Sequence, residues 1–271
     1  MTTILYESPN VGIIGLGHFG KALATGLIDH TYCGVMATSI QPVEWADSRM
    51  GKQVKMCADN KELASKCPII CVAVRPQDMD SVLEDLIDFK GLLISFAAGL
   101  PHSYYESKVK GASVVRAMSN LGVAYGKGMT AWVASEDMDI QMRRITQSLL
   151  SDLGNVIKLD LEDENQIDVV TALSGSGVAY LAQVFDSMKN VGVNHGMSEK
   201  NAELTVLETV SSVLALFDNT ELSLDEIVSG VASKGGTTEA GLKTMEEKGL
   251  KTALTQGLED TISKCNSLSR L

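Results

Sequence analysis

The apolar run Val11–Ile14 empties into Gly15-Leu-Gly-His-Phe-Gly20, a G-x-G-x-x-G turn that Lys21–Ile28 continue with helix-forming residues. Val11–Ile14 read as a buried strand, so the glycines join a strand to a helix. Gly15 permits the tight turn, Gly17 lets backbone approach a pyrophosphate, and Gly20 lets helix pack closely on strand. The helix's first amides then receive phosphate charge. A dinucleotide site follows, contacted by Gly15, Leu16, Gly17, His18, Phe19 and Gly20. The plain alternative is a tight turn that binds nothing.

Short apolar strands alternate with helical stretches through the first half. Strands are predicted at Val11–Ile14, Gly34–Thr38, Gln53–Met56, Ile69–Val74, Leu92–Phe96, Val114–Ala117, Thr130–Val133 and Val156–Lys158. Helices are predicted at Asn60–Ser65, Gln77–Leu86, His102–Lys108 and Asp137–Leu153. Such alternation marks an α/β domain, a doubly wound parallel sheet of Rossmann type with both faces covered. After about Asp160 strand signals stop and helical periodicity takes over, as in Leu204, Leu207, Val210, Val213, Leu214 and Phe217. Helices are expected at Glu162–Leu173, Val178–Val191, Glu199–Phe217, Leu224–Val228, Thr238–Lys248 and Leu250–Leu268. The chain therefore divides into a nucleotide-binding domain, 1–160, and an all-helical domain, 161–271. So many apolar faces in a small helical domain call for a second copy, which makes this the expected dimerisation surface.

The formal net charge of −11 excludes a nucleic-acid partner, which needs a basic face. No run is read as long and apolar enough to span a bilayer, and Met1–Asn10 lack the basic start and apolar core of a leader. A cytoplasmic protein without a membrane partner is the expectation. Cys33, Cys57, Cys67, Cys71 and Cys265 are irregularly spaced, and nothing in the chain has metal-ligand spacing.

The exit of the second strand sets cofactor preference. A site for NAD places an acid there, on the ribose 2′-hydroxyl. Here Thr38, Ser39, Ile40 and Gln41 precede the first acid, Glu44. Small hydroxyl residues leave room for a 2′-phosphate and supply donors to it, so NADPH is favoured, with NADH as the second choice. Arg49 and Lys52 lie near in sequence. In the helical half, the glycine-rich Thr171–Tyr180 interrupts a helix. A second such stretch, Ser233–Leu242, puts hydroxyls at a helix mouth, where Thr237 or Thr238 caps it. The amides of Gly235–Thr238 form an anion site suited to a substrate carboxylate.

These segments resemble those of the pyrroline-5-carboxylate reductase family, from Val11 to about Leu268. Asp168–Tyr180 resemble D-A-V-T-A-L-S-G-S-G-P-A-Y, and Ser233–Leu242 resemble S-P-G-G-T-T-x-x-G-L. Weaker matches are Ala73–Pro76 to A-V-K-P, Ile94–Gly99, and Arg116–Asn120 to R-x-M-P-N. The resemblance implies NAD(P)H-dependent reduction of a cyclic imine to proline. It implies further cofactor contacts from Thr38, Ser39, Asn60, Ala73, Val74, Arg75 and Ala98. Val231, Ser233, Gly235, Gly236, Thr237 and Thr238 would hold the substrate, with Thr238 beside the ring nitrogen as the catalytic residue and Glu221 in support. A homodimer interleaved through the helical domain, and rings of such dimers, are implied as well.

The chemistry suits these residue types. An iminium carbon is already electrophilic, so the protein has to orient it rather than supply a metal or strong base. Ser119, Val178 and Lys234 stand where the family has proline, and Lys234 sets a cation beside the expected carboxylate site. These departures leave open a reductase of another cyclic imino acid, and an inactive nucleotide-binding sensor of the same fold. A β-hydroxyacid dehydrogenase would need a lysine where Tyr180 and Leu181 stand.

Overall fold

In a computed structural model the chain is described over residues 10–31, 33–45 and 47–268. Strands and helices alternate as β1 (Asn10–Ile14), α1 (His18–His30), β2 (Gly34–Thr38), α2 (Ser48–Gln53), β3 (Val54–Met56), α3 (Asn60–Lys66) and β4 (Ile69–Val72). They continue as α4 (Met79–Asp85), β5 (Leu92–Ser95), α5 (His102–Lys108), β6 (Ser113–Met118), β7 (Gly128–Ala134), α6 (Ile140–Ser151) and β8 (Gly154–Lys158). Then come α7 (Gln166–Val170), α8 (Gly177–Asn194), α9 (Glu199–Asn219), α10 (Leu224–Val231), α11 (Thr237–Glu247) and α12 (Leu250–Leu268).

The strands form one sheet in the order β3-β2-β1-β4-β5-β6-β7-β8. Its period-two alternation feeds two cores. Val11, Ile13, Val35 and Cys71 enter one core, with Leu23 and Leu27 of α1. Ile14, Met36, Ile70 and Val72 enter the other, with Leu63 of α3 and Met79 of α4. Burial on both faces explains why these strands read as unbroken apolar runs. Each fully buried aliphatic side chain is worth roughly 1.5–3 kcal/mol.

Several details differ from the sequence expectation. The sheet is not parallel throughout, since β6 pairs antiparallel with β7. The link between them holds only the short 3-10 turn Leu121–Tyr125, and a parallel return needs a crossover of a dozen or more residues. A crossover through α6 does bring β8 parallel to β7. The short α2 is an addition, capped by Asp47 accepting from the Arg49 N–H. Thr171–Ser176 do not interrupt the helix but form a π-helical stretch between α7 and α8. The wider i→i+5 bonding keeps glycine and serine helical there. As a result Gln166–Asn194 is a continuous helical run containing a window of mean hydropathy 1.3. By length and composition it is long enough to cross a membrane, contrary to the expectation that no run is.

Contacts divide the chain into two compact units. One extends to Ser176 and resumes at Asp260; the other is Gly177–Glu259. In the second, α8 and α9 approach so closely that a Cβ on Gly192 would sit 3.1 Å from the Ala202 Cβ. Leu181, Leu204, Leu207, Leu214 and Phe217 of these helices stay exposed.

A buried charge cluster ties the first unit together. Arg116 stands in β6 among Val114, Val115 and Ala117, 2% exposed. Its Nη2 donates to Asp168 Oδ1 of α7 at 2.6 Å, and its Nη1 lies 3.1 Å from Glu164 Oε1. Burial pushes the Asp168 carboxyl above its ordinary range, against the pull of Arg116 and of the Gly99 N–H. A carboxyl raised in the fold contributes stability at low pH that is lost as pH rises through its folded value. Removing the arginine strands that charge. Arg116→Met is expected to lower unfolding free energy by about 3–5 kcal/mol at neutral pH. Denaturant titration should show the loss shrinking as pH falls and Asp168 takes up a proton; a loss that does not change with pH would contradict it.

Candidate functional site

Parallel pairing puts the exits of β1, β2, β4 and β5 on one edge of the sheet. Ile14 is in register with Thr38 on one side and Val72 on the other, and Val72 with Ser95. Gly15, Ser39, Ala73 and Phe96 therefore leave side by side. Backbone bonds lock the row: Gly15 N–H donates to Thr38 O at 3.0 Å, Ala73 N–H to Ile14 O at 2.8 Å, and Phe96 N–H to Val72 O at 3.0 Å. The edge thus collects Gly15–Gly20, Thr38, Ser39, Ala73, Val74 and Ala98. Arg75 follows on the same exit, but its side chain is exposed and held by Asp78 at 3.1 Å.

The glycines differ in what they do. Gly15 has φ +94°, and a Cβ there would press on Val74 Cγ1 at 2.8 Å and Ala73 O at 3.0 Å. A Cβ on Gly20 would overlap the Gly15 carbonyl oxygen, whereas one on Gly17 would meet nothing within 4 Å. Gly17 also starts α1 in extended conformation, with no side-chain cap and no acid in the first turn. The first amides of α1 thus open onto the space Gly17 leaves, a donor-lined concavity of the kind that binds phosphate. Leu16 is buried beneath the turn and His18 is exposed at its rim. The Phe19 ring lies 5.1 Å from that of Phe96, centroid to centroid.

At β2 the hydroxyls are spoken for, which corrects the idea that they stand ready as donors. Thr38 Oγ1 donates to Asn60 Oδ1 at 2.6 Å, and Asn60 Nδ2 donates to Asp85 Oδ2 at 3.0 Å. Ser39 Oγ donates to Gln41 O at 2.9 Å. Arg49 is engaged too, with Asp29 at 2.9 Å and Asp47 at 3.3 Å.

Beyond β5, the loop carrying Ala98 is pinned from behind. Ser95 Oγ donates to Tyr105 Oη at 2.8 Å and accepts from Ala97 N–H at 3.3 Å. Burial pushes the Tyr105 phenol up to about 12, so it stays protonated. Gly99 has φ +78° and donates its N–H to Asp168, and a Cβ on it would meet Cys265 O at 2.5 Å. The Arg116–Asp168 pair therefore holds the backbone next to Ala98, a role the motif alone does not suggest. A lone arginine inside an apolar strand was the available signal, because such a charge must find a partner. At the β6 exit Asn120 Nδ2 donates to Ser174 Oγ at 2.8 Å, and the Ser119 and Thr130 hydroxyls pair at 2.7 Å.

The second motif lies in the other unit. Val231 ends α10 and is exposed. Ser233–Gly236 turn through Gly235 at φ +73°. Gly236 caps α11 without any side chain, so Thr237 and Thr238 begin the helix rather than cap it, and their hydroxyls are not spent on it. Gly235 N–H donates to Glu239 Oε2 at 2.6 Å, and Gly236 N–H to Ser233 O at 2.9 Å. Those two amides serve the protein itself, and the first turn of α11 has no side-chain cap. Lys234 and Glu221 are exposed.

Both motifs lie in segments that match known protein families. Residues 164–268 match the family described as pyrroline-5-carboxylate reductase dimerisation, and residues 10–99 match NADP oxidoreductase coenzyme F420-dependent. A pyrroline-5-carboxylate reductase of Aquifex aeolicus is 31% identical, covering 95% of this chain and 97% of that protein. One from Synechocystis sp. is 30% identical, covering 97% of this chain and 99% of that protein. The crystal structure of Plasmodium falciparum pyrroline carboxylate reductase with NADP bound is similar at a TM-score of 0.89 and 24% identity, over 97% of this chain and 99% of that one. At that identity the likeness concerns the fold.

The contrast between glycines can be tested in thermal or denaturant unfolding. Gly15→Ala is expected to cost about 1–3 kcal/mol through its left-handed φ. Gly17→Ala should stay within ~0.5 kcal/mol of the native protein. Equal losses would show that Gly17 is packed rather than open.

Proposed function

The chain belongs to the pyrroline-5-carboxylate reductase family, and we propose that it reduces the cyclic imine pyrroline-5-carboxylate to L-proline with NADPH, as the last step of proline biosynthesis. One observation carries this most. Each unit starts a helix from a glycine turn with no side-chain cap, α1 behind Gly17 and α11 behind Gly236. Elsewhere Asp59, Asp139, Ser198 and Ser223 cap α3, α6, α9 and α10 with their own oxygens. Helices α4, α5 and α7 also start without a side-chain cap, behind Asp78, Pro101 and Asn165, but α1 and α11 do so behind a glycine, and their first amides would serve a pyrophosphate at one and a carboxylate at the other.

The residues fit a dinucleotide: open space at Gly17, free amides at α1, and no acid between Thr38 and Gln41 to repel a 2′-phosphate. Gly15–Gly20 would hold the pyrophosphate. Thr38, Ser39 and Asn60 would border the ribose, and Ala73, Val74, Arg75 and Ala98 would line the rest. When bound, NADPH supplies the hydride. Val231, Ser233 and Gly235–Thr238 would fix the imino acid through its carboxylate. Thr238, whose hydroxyl makes no bond to the helix start, would accept a hydrogen bond from the iminium N–H and so hold the ring nitrogen in place. Orientation of an already electrophilic carbon is the main work asked of these groups.

The helical unit would pair with a second copy. Leu181, Leu204, Leu207, Leu214 and Phe217 are the side chains such a pairing would cover, together with the apolar stretch of Gln166–Asn194. The five cysteines are free thiols, and burial pushes Cys67 up to about 11 and Cys71 up to about 12. Unpaired thiols suit the reducing cytoplasm.

Purified protein mixed with NADPH and pyrroline-5-carboxylate should consume NADPH and form proline. Cofactor binding without turnover on that imine, or preference for a six-membered analogue, would overturn the substrate assignment. Thr238→Ala is expected to lower kcat/KM by about tenfold or more, the worth of one charge-assisted hydrogen bond; unchanged kinetics would remove Thr238 from the site. Light scattering should give at least a dimer mass, and a monomer at micromolar concentration would refute the pairing.

A further inference from the structure

We propose that Asp85 is a positioning residue that sets the hydrogen-bond polarity of the cofactor's ribose pocket, acting through Asn60 on Thr38. The inference rests on the placement of Thr38 and Asn60 at the ribose proposed above. Asn60 lies between two partners, accepting from Thr38 Oγ1 at 2.6 Å and donating to Asp85 Oδ2 at 3.0 Å. An amide can be turned either way, but an ionised carboxylate only accepts. Asp85 therefore takes the Asn60 NH2 and forces its oxygen toward Thr38. The Thr38 hydroxyl must then spend its proton on Asn60, and Thr38 offers any further partner only lone pairs.

Thr38 is 6% exposed at the end of β2, and its carbonyl accepts from the Gly15 N–H. An acceptor at that position suits a ribose hydroxyl, which donates. It does not suit a 2′-phosphate, whose oxygens accept. Ser39 is set the same way, with its proton on Gln41 O. The side chains next to the ribose thus offer acceptors to a 2′-hydroxyl and no donor to a 2′-phosphate, so Asp85 limits the preference for NADPH that the absence of an acid allows. Asp85 reaches the pocket from α4 without touching cofactor. Its other oxygen has only a long, exposed pairing with Lys61 at 3.8 Å.

Asp85→Asn relaxes this setting. The new amide can face Asn60 with either end, so Asn60 can present its NH2 to Thr38 and free the Thr38 proton for a phosphate. Calorimetric titration of the protein with adenosine 2′,5′-bisphosphate and with AMP reads the pocket without nicotinamide or turnover. The affinity ratio should shift toward the bisphosphate by about two- to tenfold, the range for one hydrogen bond. The NADPH-to-NADH ratio of kcat/KM should move in the same sense, and Asp85→Glu should restore the native ratio. Loss of a negative charge alone would also favour phosphate, so the same change is made in a Thr38→Val background. There the shift should vanish. A ratio unchanged in Asp85→Asn, or an equal shift in the Thr38→Val background, overturns the proposal. Thr38→Val by itself should weaken AMP, and AMP affinity equal to native would overturn it too, whether or not Asp85→Asn folds. Failure of the native protein to bind either nucleotide would instead overturn the dinucleotide site.

Discussion

The close approach of α1 to β1 is the constraint on which the rest depends. Gly20 sits so near the Gly15 carbonyl that a single Cβ would overlap it. That contact fixes where α1 begins and aims its unbonded amides at the sheet edge. It works only because the edge is itself fixed. Gly15 is bonded to Thr38, and Ile14 to Ala73, so neighbouring strands are locked at the same height. Alternating side chains keep them there by filling two cores at once, and a slip of one residue would swap every strand's cores.

Charge is handled oppositely in the two units. In the first, a few charges are driven inside, where Arg116 pairs through Nη1 and Nη2 with Glu164 and Asp168 while its Nε is left without a partner. Such a cluster is a costly way to gain stability, since burying ions offsets most of their attraction. Its yield is placement. Asp168 also holds Gly99, so the cluster sets the backbone next to Ala98. The second unit keeps its charges outside and exposes leucines instead. Residues 164–268, the part matched as a dimerisation family, hold exposed Leu181, Leu204, Leu207, Leu214 and Phe217. A helical surface of that kind is stable in water only when something apolar covers it.

What was legible in the sequence was what depends on local pattern. β1, β4 and β5 declared themselves because Val11–Ile14, Ile69–Val72 and Leu92–Ser95 are apolar on both faces and flanked by turn residues. The turn at Gly15–Gly20 was legible because glycine alone tolerates those contacts. The direction of β7 was not, since it depends on how little chain separates it from β6. The Thr171–Ser176 stretch read as a break, because glycine and serine disfavour helix in isolation. Asn120 and Met129 hold Ser174 from a distance, and that pairing has no local signature. The direction of the Thr38 proton, which goes to Asn60, has no local signature either. It is decided by Asp85, on another helix and beyond any motif.

Anion recognition by backbone amides makes the position of bound groups robust and their identity adjustable. An amide donates whatever side chain it carries, so the turns at Gly17 and Gly236 keep their sign through substitution. The side chains around them decide which anion is preferred. At the ribose end that choice runs through Thr38 and the acceptor that polarises it. At α11, Glu239 takes the Gly235 amide and Lys234 adds a cation one residue away, so the turn carries both an internal carboxylate and a charge that offsets it. A substrate carboxylate at the proposed site would meet the first turn of α11 rather than the Gly235 and Gly236 amides, which are bonded within the protein. On the proposed reading its binding would depend on Thr237 and Thr238 more than on the turn, which would put anchor and catalytic hydroxyl on the same helix end. Coupling them in one helix turn would match the short spacing between an α-carboxylate and the ring nitrogen, and would leave ring size to be read by the groups around the ring.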